Sequence, residues 1–150
     1  MGATLPMLLT AGAGFLLAVL WFDLMFDVQA RRLDDADGDA CLASIADYYR
    51  RVTIEAYPAN LLVGLVMLIT VAGSVVQLVR APAGRGRALL ALLLVALPVV
   101  LAGTRVLPNA MRLGARTDTL PVQRKLARAI WRDHMLCLIA ILMFLVLQLY

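Results

Sequence analysis

Charge is scarce in this sequence, and long uncharged runs stand in its place. Only 16% of the 150 residues are charged, against 63% hydrophobic, and the mean hydropathy is +0.87. A soluble domain of this size could not hide so much apolar surface, so the composition implies lipid as the solvent. Histidine occurs once, at His134, which excludes paired haem ligation. Cysteine occurs twice, at Cys41 and Cys137, with no CxxC spacing, so neither a disulfide framework nor a zinc site is signalled. There is no phosphate-cradling glycine loop, dinucleotide fingerprint or Ser-His-Asp order. No cofactor and no metal are therefore expected. None of the apolar runs alternates with period two, which argues against barrel strands.

What is present is four apolar stretches. Met1 to Phe22 carries no charge, and the apolar character continues to Phe26; the later uncharged stretches are Ala56 to Val79, Ala88 to Thr104 and His134 to Tyr150. Each is close to the roughly 20 residues that carry a helix across a ~30 Å hydrocarbon layer. The predicted architecture is an all-α, integral membrane four-helix bundle forming one domain over 1–150. Its spans lie at about 5–28, 56–79, 88–107 and 133–150. The first run is too long for a signal peptide and has no basic leader, so it is expected to be retained as a span. Met1-Gly2-Ala3-Thr4-Leu5-Pro6 lacks the Ser or Thr of a myristoylation motif.

The connections fix the expected orientation. Segments 31–51 and 110–131, with the flanking Arg105 and Arg132, hold 11 of the 14 Lys and Arg residues; the short turn Ala81 to Arg87 and Arg80 before it hold three. The positive-inside rule then places the first and third connections in the cytoplasm and both termini on the other side of the cell membrane. A net charge of +4 spread over helix ends reads as topology, and no nucleic-acid partner is expected. Leu42, Ile45, Ala46 and Tyr49 follow a helical pattern, so helix two should begin outside the lipid and be kinked by Pro58. Pro121 suits the first turn of a helix that enters the membrane near His134. Gly14 and Ala18 form a small-xxx-small pair that could admit a close helix neighbour.

Polar side chains gather at one end of every span. Asp23 and Asp27 stand four apart, on one helix face; Arg51 and Glu55 repeat the spacing, followed by Tyr57 and Asn60. Arg105, Asn109 and Arg112 form a stripe, as do Arg128, Trp131 and His134. An ionisable group at bilayer depth costs about 2.5–3.5 kcal/mol, so Asp23, a turn inside Asp27, should face the bundle interior, with Arg105 or Arg112 as partner. The expected site is a pocket opening to the cytoplasmic leaflet, with Asp23, His134 and Arg105 as the reactive groups. Asp27, Glu55, Tyr57, Asn60, Asn109, Arg112 and Trp131 would contact the ligand. Against this stands the simpler reading, in which charges at helix ends pair or snorkel.

Two short-motif resemblances bear on function. Val106-Leu107-Pro108-Asn109-Ala110-Met111-Arg112-Leu113 and, after a charged amphipathic stretch, Ala129-Ile130-Trp131-Arg132-Asp133-His134 resemble the small four-helix membrane family of anthrone-oxygenase-like proteins. The likeness covers roughly the last 45 residues; Leu136 and Cys137 stand where that family would place an arginine. It implies oxidation of an aromatic, polyketide-like substrate without a bound metal, near Asn109, Trp131 and His134. Glu55-Ala56-Tyr57-Pro58 is similar to an element of the membrane-associated glutathione and eicosanoid enzymes, with the tyrosine shifted by one. Arg105 and Gly114-Ala115-Arg116-Thr117 are similar too, whereas Tyr48 and Val52 occupy the positions of that family's arginine and asparagine. Three functional classes stay open: a protein that binds or oxidises a lipophilic, aromatic small molecule; a non-catalytic accessory subunit; and a small proton-coupled transporter using Asp23. Beyond the lipid bilayer, a second copy or a membrane partner protein could be engaged.

Overall fold

The computed structural model describes residues 4–81 and 84–150, and among them every regular element is helical. Met1, Gly2 and Ala3, and Pro82 and Ala83 of the expected turn, lie outside the described residues. The helices are α1 Thr4–Asp27, α2 Gly38–Arg50, α3 Ala59–Arg80, α4 Arg85–Leu101, α5 Leu107–Ala115 and α6 Leu120–Leu149. A 3-10 turn, Val28–Arg32, extends α1; wider π turns, Arg51–Glu55 and Ala102–Val106, extend α2 and join α4 to α5.

Four helical stretches are long and apolar enough to cross a membrane: Thr4–Arg32, Asn60–Arg80, Arg85–Ala115 and Leu120–Leu149. They stand in a square in which α1 neighbours α6 and α3, while α4 neighbours α3 and α6. α1 and α4 therefore face one another diagonally. A 30-residue helix is about 45 Å long, well over a ~30 Å hydrocarbon layer, so α6 must project beyond it. The same holds for the continuous α4–α5 rod.

Two cores result. Leu9, Ala13, Leu16, Ala91, Val95, Ile141 and Phe144 pack between the spanning helices. A second cluster, including Leu33, Leu42, Ile45, Tyr49, Val106, Leu113, Leu126 and Ile130, lies where α2 and α5 cover the end of the bundle against the first half of α6. The acidic turn before α2 and the first turn of α2 dock on α6 through Arg128–Asp34 at 2.6 Å and Arg124–Asp39 at 2.8 Å. Such exposed pairs stabilise by at most about 1 kcal/mol each and serve mainly to set register.

Helix two differs from its expected course. Instead of one helix kinked at Pro58, the chain stops at Ala56, turns through Tyr57 and Pro58, and restarts as α3. The reason is packing. The apolar face of α2 is satisfied by α5, and a straight continuation into the bilayer would pull the two apart. Gly114 permits this approach, since a Cβ there would sit 2.8 Å from the backbone nitrogen of Arg50. The close α1–α3 approach also falls elsewhere than expected. An added Cβ at Gly14 would meet nothing within 4 Å, whereas one at Gly12 would stand 2.5 Å from Thr70 Oγ1. Gly73 likewise abuts Leu9. Thr70 and Ser74 turn their hydroxyls back to the carbonyls of Val66 and Thr70, which leaves no polar group unpaired at that contact.

Candidate functional site

Where the two cores meet, five polar side chains form one connected group. Asp23 and Asp27 descend on one face of α1; Tyr48 and Tyr49 come from the last turn of α2, and His134 from the middle of α6. Adjacent residues on a helix point about 100° apart, so the two tyrosines divide between the two carboxylates. The Tyr48 hydroxyl donates to Asp23 Oδ1 at 2.6 Å, and the Tyr49 hydroxyl donates to Asp27 Oδ1 at 2.6 Å. Asp27 is fully buried, and its Oδ2 lies 2.6 Å from His134 Nδ1. The second nitrogen of His134, Nε2, is 3.9 Å from Asp23 Oδ2. Phe26 stacks on the Tyr48 ring with centroids 4.1 Å apart, which braces the phenol over Asp23.

The short contact assigns Nδ1. With Asp27 ionised it requires a hydrogen on Nδ1, and in the neutral ring Nε2 is then an acceptor. His134 is only 6% exposed, yet Nε2 has no hydrogen-bonding partner among the described residues. It looks instead into a cleft of about 650 Å³ in the middle of the square. Asp23, Tyr48, Tyr49, Thr53, Asn60 and His134 provide the polar part of the lining. The remainder is apolar or small, contributed by all four spanning helices, and includes Cys137 one turn beyond His134. Gly64 on α3 and Gly103 in the π turn both line it, and a Cβ on either would meet nothing within 4 Å. Pro98, inside α4, also lines the cleft; its ring removes one backbone hydrogen bond just before the helix widens at Ala102.

Of the expected site residues, Asp23, Asn60 and His134 reach the cleft, and Asp27 stands directly behind His134. The others are elsewhere. Arg105 is not beside Asp23: its Nε lies 3.0 Å from the buried Asp133. The cause is the square arrangement, in which the α4 rod packs on α6 while α1 is diagonal to it. Arg112 pairs with Asp118 at 2.9 Å, and Glu55 with Arg50 at 2.8 Å, both on the surface. Tyr57 is 73% exposed. Trp131 packs against the outer core, and neither it nor Asn109 lines the cleft. Tyr48 and Tyr49 are the participants that sequence reasoning did not pick out. In the sequence Tyr49 belongs to the apolar stripe of Leu42, Ile45 and Ala46, and only the fold of α2 over the bundle end brings it to Asp27.

Burial, reinforced by Asp23, raises the pKa of the Tyr48 phenol; burial, reinforced by Asp27, holds that of Tyr49 well above its usual value. Both remain neutral donors across the physiological range. A phenol whose pKa is higher folded than unfolded contributes fully below the unfolded value of about 10, and that contribution is lost as pH climbs above it. The thermal midpoint in detergent is therefore expected to be flat up to about pH 9.5 and to fall above it. Replacing both tyrosines with phenylalanine should shallow the fall. An equally steep decline in the double variant would remove the phenols as its cause.

Fold and site together define a multi-pass, four-span, all-α membrane protein with a polar group buried at one end of its bundle. In comparisons with family models, curated proteins and solved structures, no match to this chain was found, so neither motif resemblance gains support there.

Proposed function

We propose that the cleft binds a lipophilic small molecule drawn from the acyl chains of the cytoplasmic leaflet, and that His134 exchanges a proton with its polar end. The observation that carries this reading is the division of labour in the imidazole: Nδ1 is held by Asp27, and Nε2 faces the cleft. A carboxylate behind an imidazole orients the ring and stabilises the imidazolium formed when Nε2 takes up a proton. Asp23, held by Tyr48, would accept a hydrogen bond from the same ligand. Thr53 and Asn60 lie on the rim nearest the turn into α3.

Entry from lipid is supported by how α3 is held. Its tight contacts with α1 are at Thr70 and Gly73, in its second half, whereas Asn60, Val63, Gly64 and Met67 border the cleft. The distribution of basic residues supports assigning this end to the cytoplasmic leaflet. Native mass spectrometry of protein released from its own membranes tests the proposal. A small apolar molecule bound in stoichiometric amount, and lost on replacing His134 with leucine, is expected. Bare protein throughout, or equal retention by the variant, would remove the basis for the site and favour an accessory subunit whose polar group only fixes helix order.

A further inference from the structure

Two polar atoms at the inner end of the cleft have no hydrogen bond among the described residues, and with the His134 ring neutral both are acceptors. Asp23 Oδ1 is occupied by Tyr48, which leaves Oδ2. His134 Nδ1 is occupied by Asp27, which in the neutral ring leaves Nε2 carrying a lone pair. They are 3.9 Å apart, too far to bond one another. One atom placed ~2.8 Å from each would subtend an angle of roughly 90°, within reach of a single tetrahedral centre. To satisfy both acceptors that atom must carry two hydrogens. A hydroxyl carries one, a carboxylate none, and a primary or secondary ammonium two or three; an amide NH2 also carries two, but brings no charge to set against the Asp23 carboxylate.

The charge around the cleft agrees. No Lys or Arg side chain lines it; Arg105 is held by Asp133, and Arg112 by Asp118. An anionic head group would meet the Asp23 carboxylate, with Asp27 behind it, and no guanidinium or ammonium to offset them. The rings of Tyr48 and Tyr49 also border the space, and aromatic faces favour cations. Resting on the cleft being a ligand site as argued above, we infer that its occupant is a lipophilic amine, bound as the ammonium between Asp23 Oδ2 and His134 Nε2 with its apolar body between α3 and α4. The ammonium–carboxylate contact is charge-assisted, which makes it strong and selective over a neutral isostere. Proton exchange then has a defined direction: one N–H hydrogen of the ammonium passes to Nε2, leaving a neutral amine and an imidazolium that Asp27 stabilises.

Three probes of one shape test this: naphthalen-1-ylmethylamine, naphthalen-1-ylmethanol and 1-naphthoic acid. Each is titrated against the full protein in phosphatidylcholine nanodiscs at neutral pH, with empty nanodiscs subtracted. The amine is expected to bind saturably and about tenfold or more tighter than the alcohol, with no saturable signal for the acid. Asp23→Asn keeps an acceptor for Tyr48 but removes the charge, and should bring the amine to within about twofold of the alcohol. Alcohol or acid binding as tightly as the amine, or an amine affinity unmoved by Asp23→Asn, overturns the head-group assignment while leaving the cleft as a ligand site. If none of the three binds saturably, the ligand site itself falls with it.

Discussion

Asp27→Ala should be the most damaging single substitution in the polar group, lowering stability by roughly 3–5 kcal/mol. The carboxylate is wholly buried and accepts from Tyr49 Oη and from His134 Nδ1, each at 2.6 Å. Removing it strands two donors at once in a site from which water is excluded, and each orphan carries its own desolvation penalty. Asp23→Ala is the informative comparison. That carboxylate is 17% exposed, borders the cleft and holds one phenol, so water can replace it and the loss should be only about 1 kcal/mol. Asp27→Asn should fall between, because an amide oxygen still accepts from one donor while its NH2 opposes the other. Thermal unfolding of the three variants in one detergent gives the order. A loss for Asp27→Ala no larger than for Asp23→Ala would mean that the junction between the two cores is wetter than the structure implies.

Filling the cleft should have the opposite signature, with function lost and stability gained. Gly64 and Gly103 both border it, and neither has an atom within 4 Å of where a Cβ would lie. Leucine at both positions would therefore project into open space without displacing backbone. Glycine within a helix costs about 0.5–1 kcal/mol relative to alanine, so the double variant should unfold at the same or a higher temperature. Binding of any lipophilic probe should drop by at least about tenfold, since the apolar body of the ligand would overlap the new side chains. Preserved binding in a well-folded Gly64→Leu/Gly103→Leu protein would show that the ligand contacts another surface. The pair of outcomes also separates a binding cleft from a packing defect: filling a defect improves stability and leaves function unchanged.

Several parts of this arrangement were legible in the residue order. Asp23 and Asp27 at a spacing of four had to share a face, and the unfavourable cost of Asp23 in lipid turned that face inward. His134 at the start of an uncharged run had to sit at the depth where α6 enters the bundle. The pairing among these groups was not legible. Arg105 was an equally reasonable partner for Asp23 by charge and depth, yet it lies on a helix diagonal to α1 and meets Asp133 instead. Tyr48 and Tyr49 were present in the sequence as part of a short amphipathic helix, and nothing local says that α2 folds across the bundle end to deliver two phenols to two carboxylates. Gly12, and not Gly14, marks the close approach to α3, because the azimuth of α1 is set by its neighbours on both sides.

By itself the sequence determined the helical class, the number of apolar spans and the face that Asp23 and Asp27 share. Those follow from transfer free energies summed along the chain and from helical spacing, and need no knowledge of which helix touches which. Tertiary structure decided the partners: which acceptor each hydroxyl finds, which imidazole nitrogen is held and which is left open, and where two glycines leave room beside them. Hydrogen bonds and voids depend on helix azimuth to within an ångström, and that is set only when four helices and a covering fifth pack against one another at once.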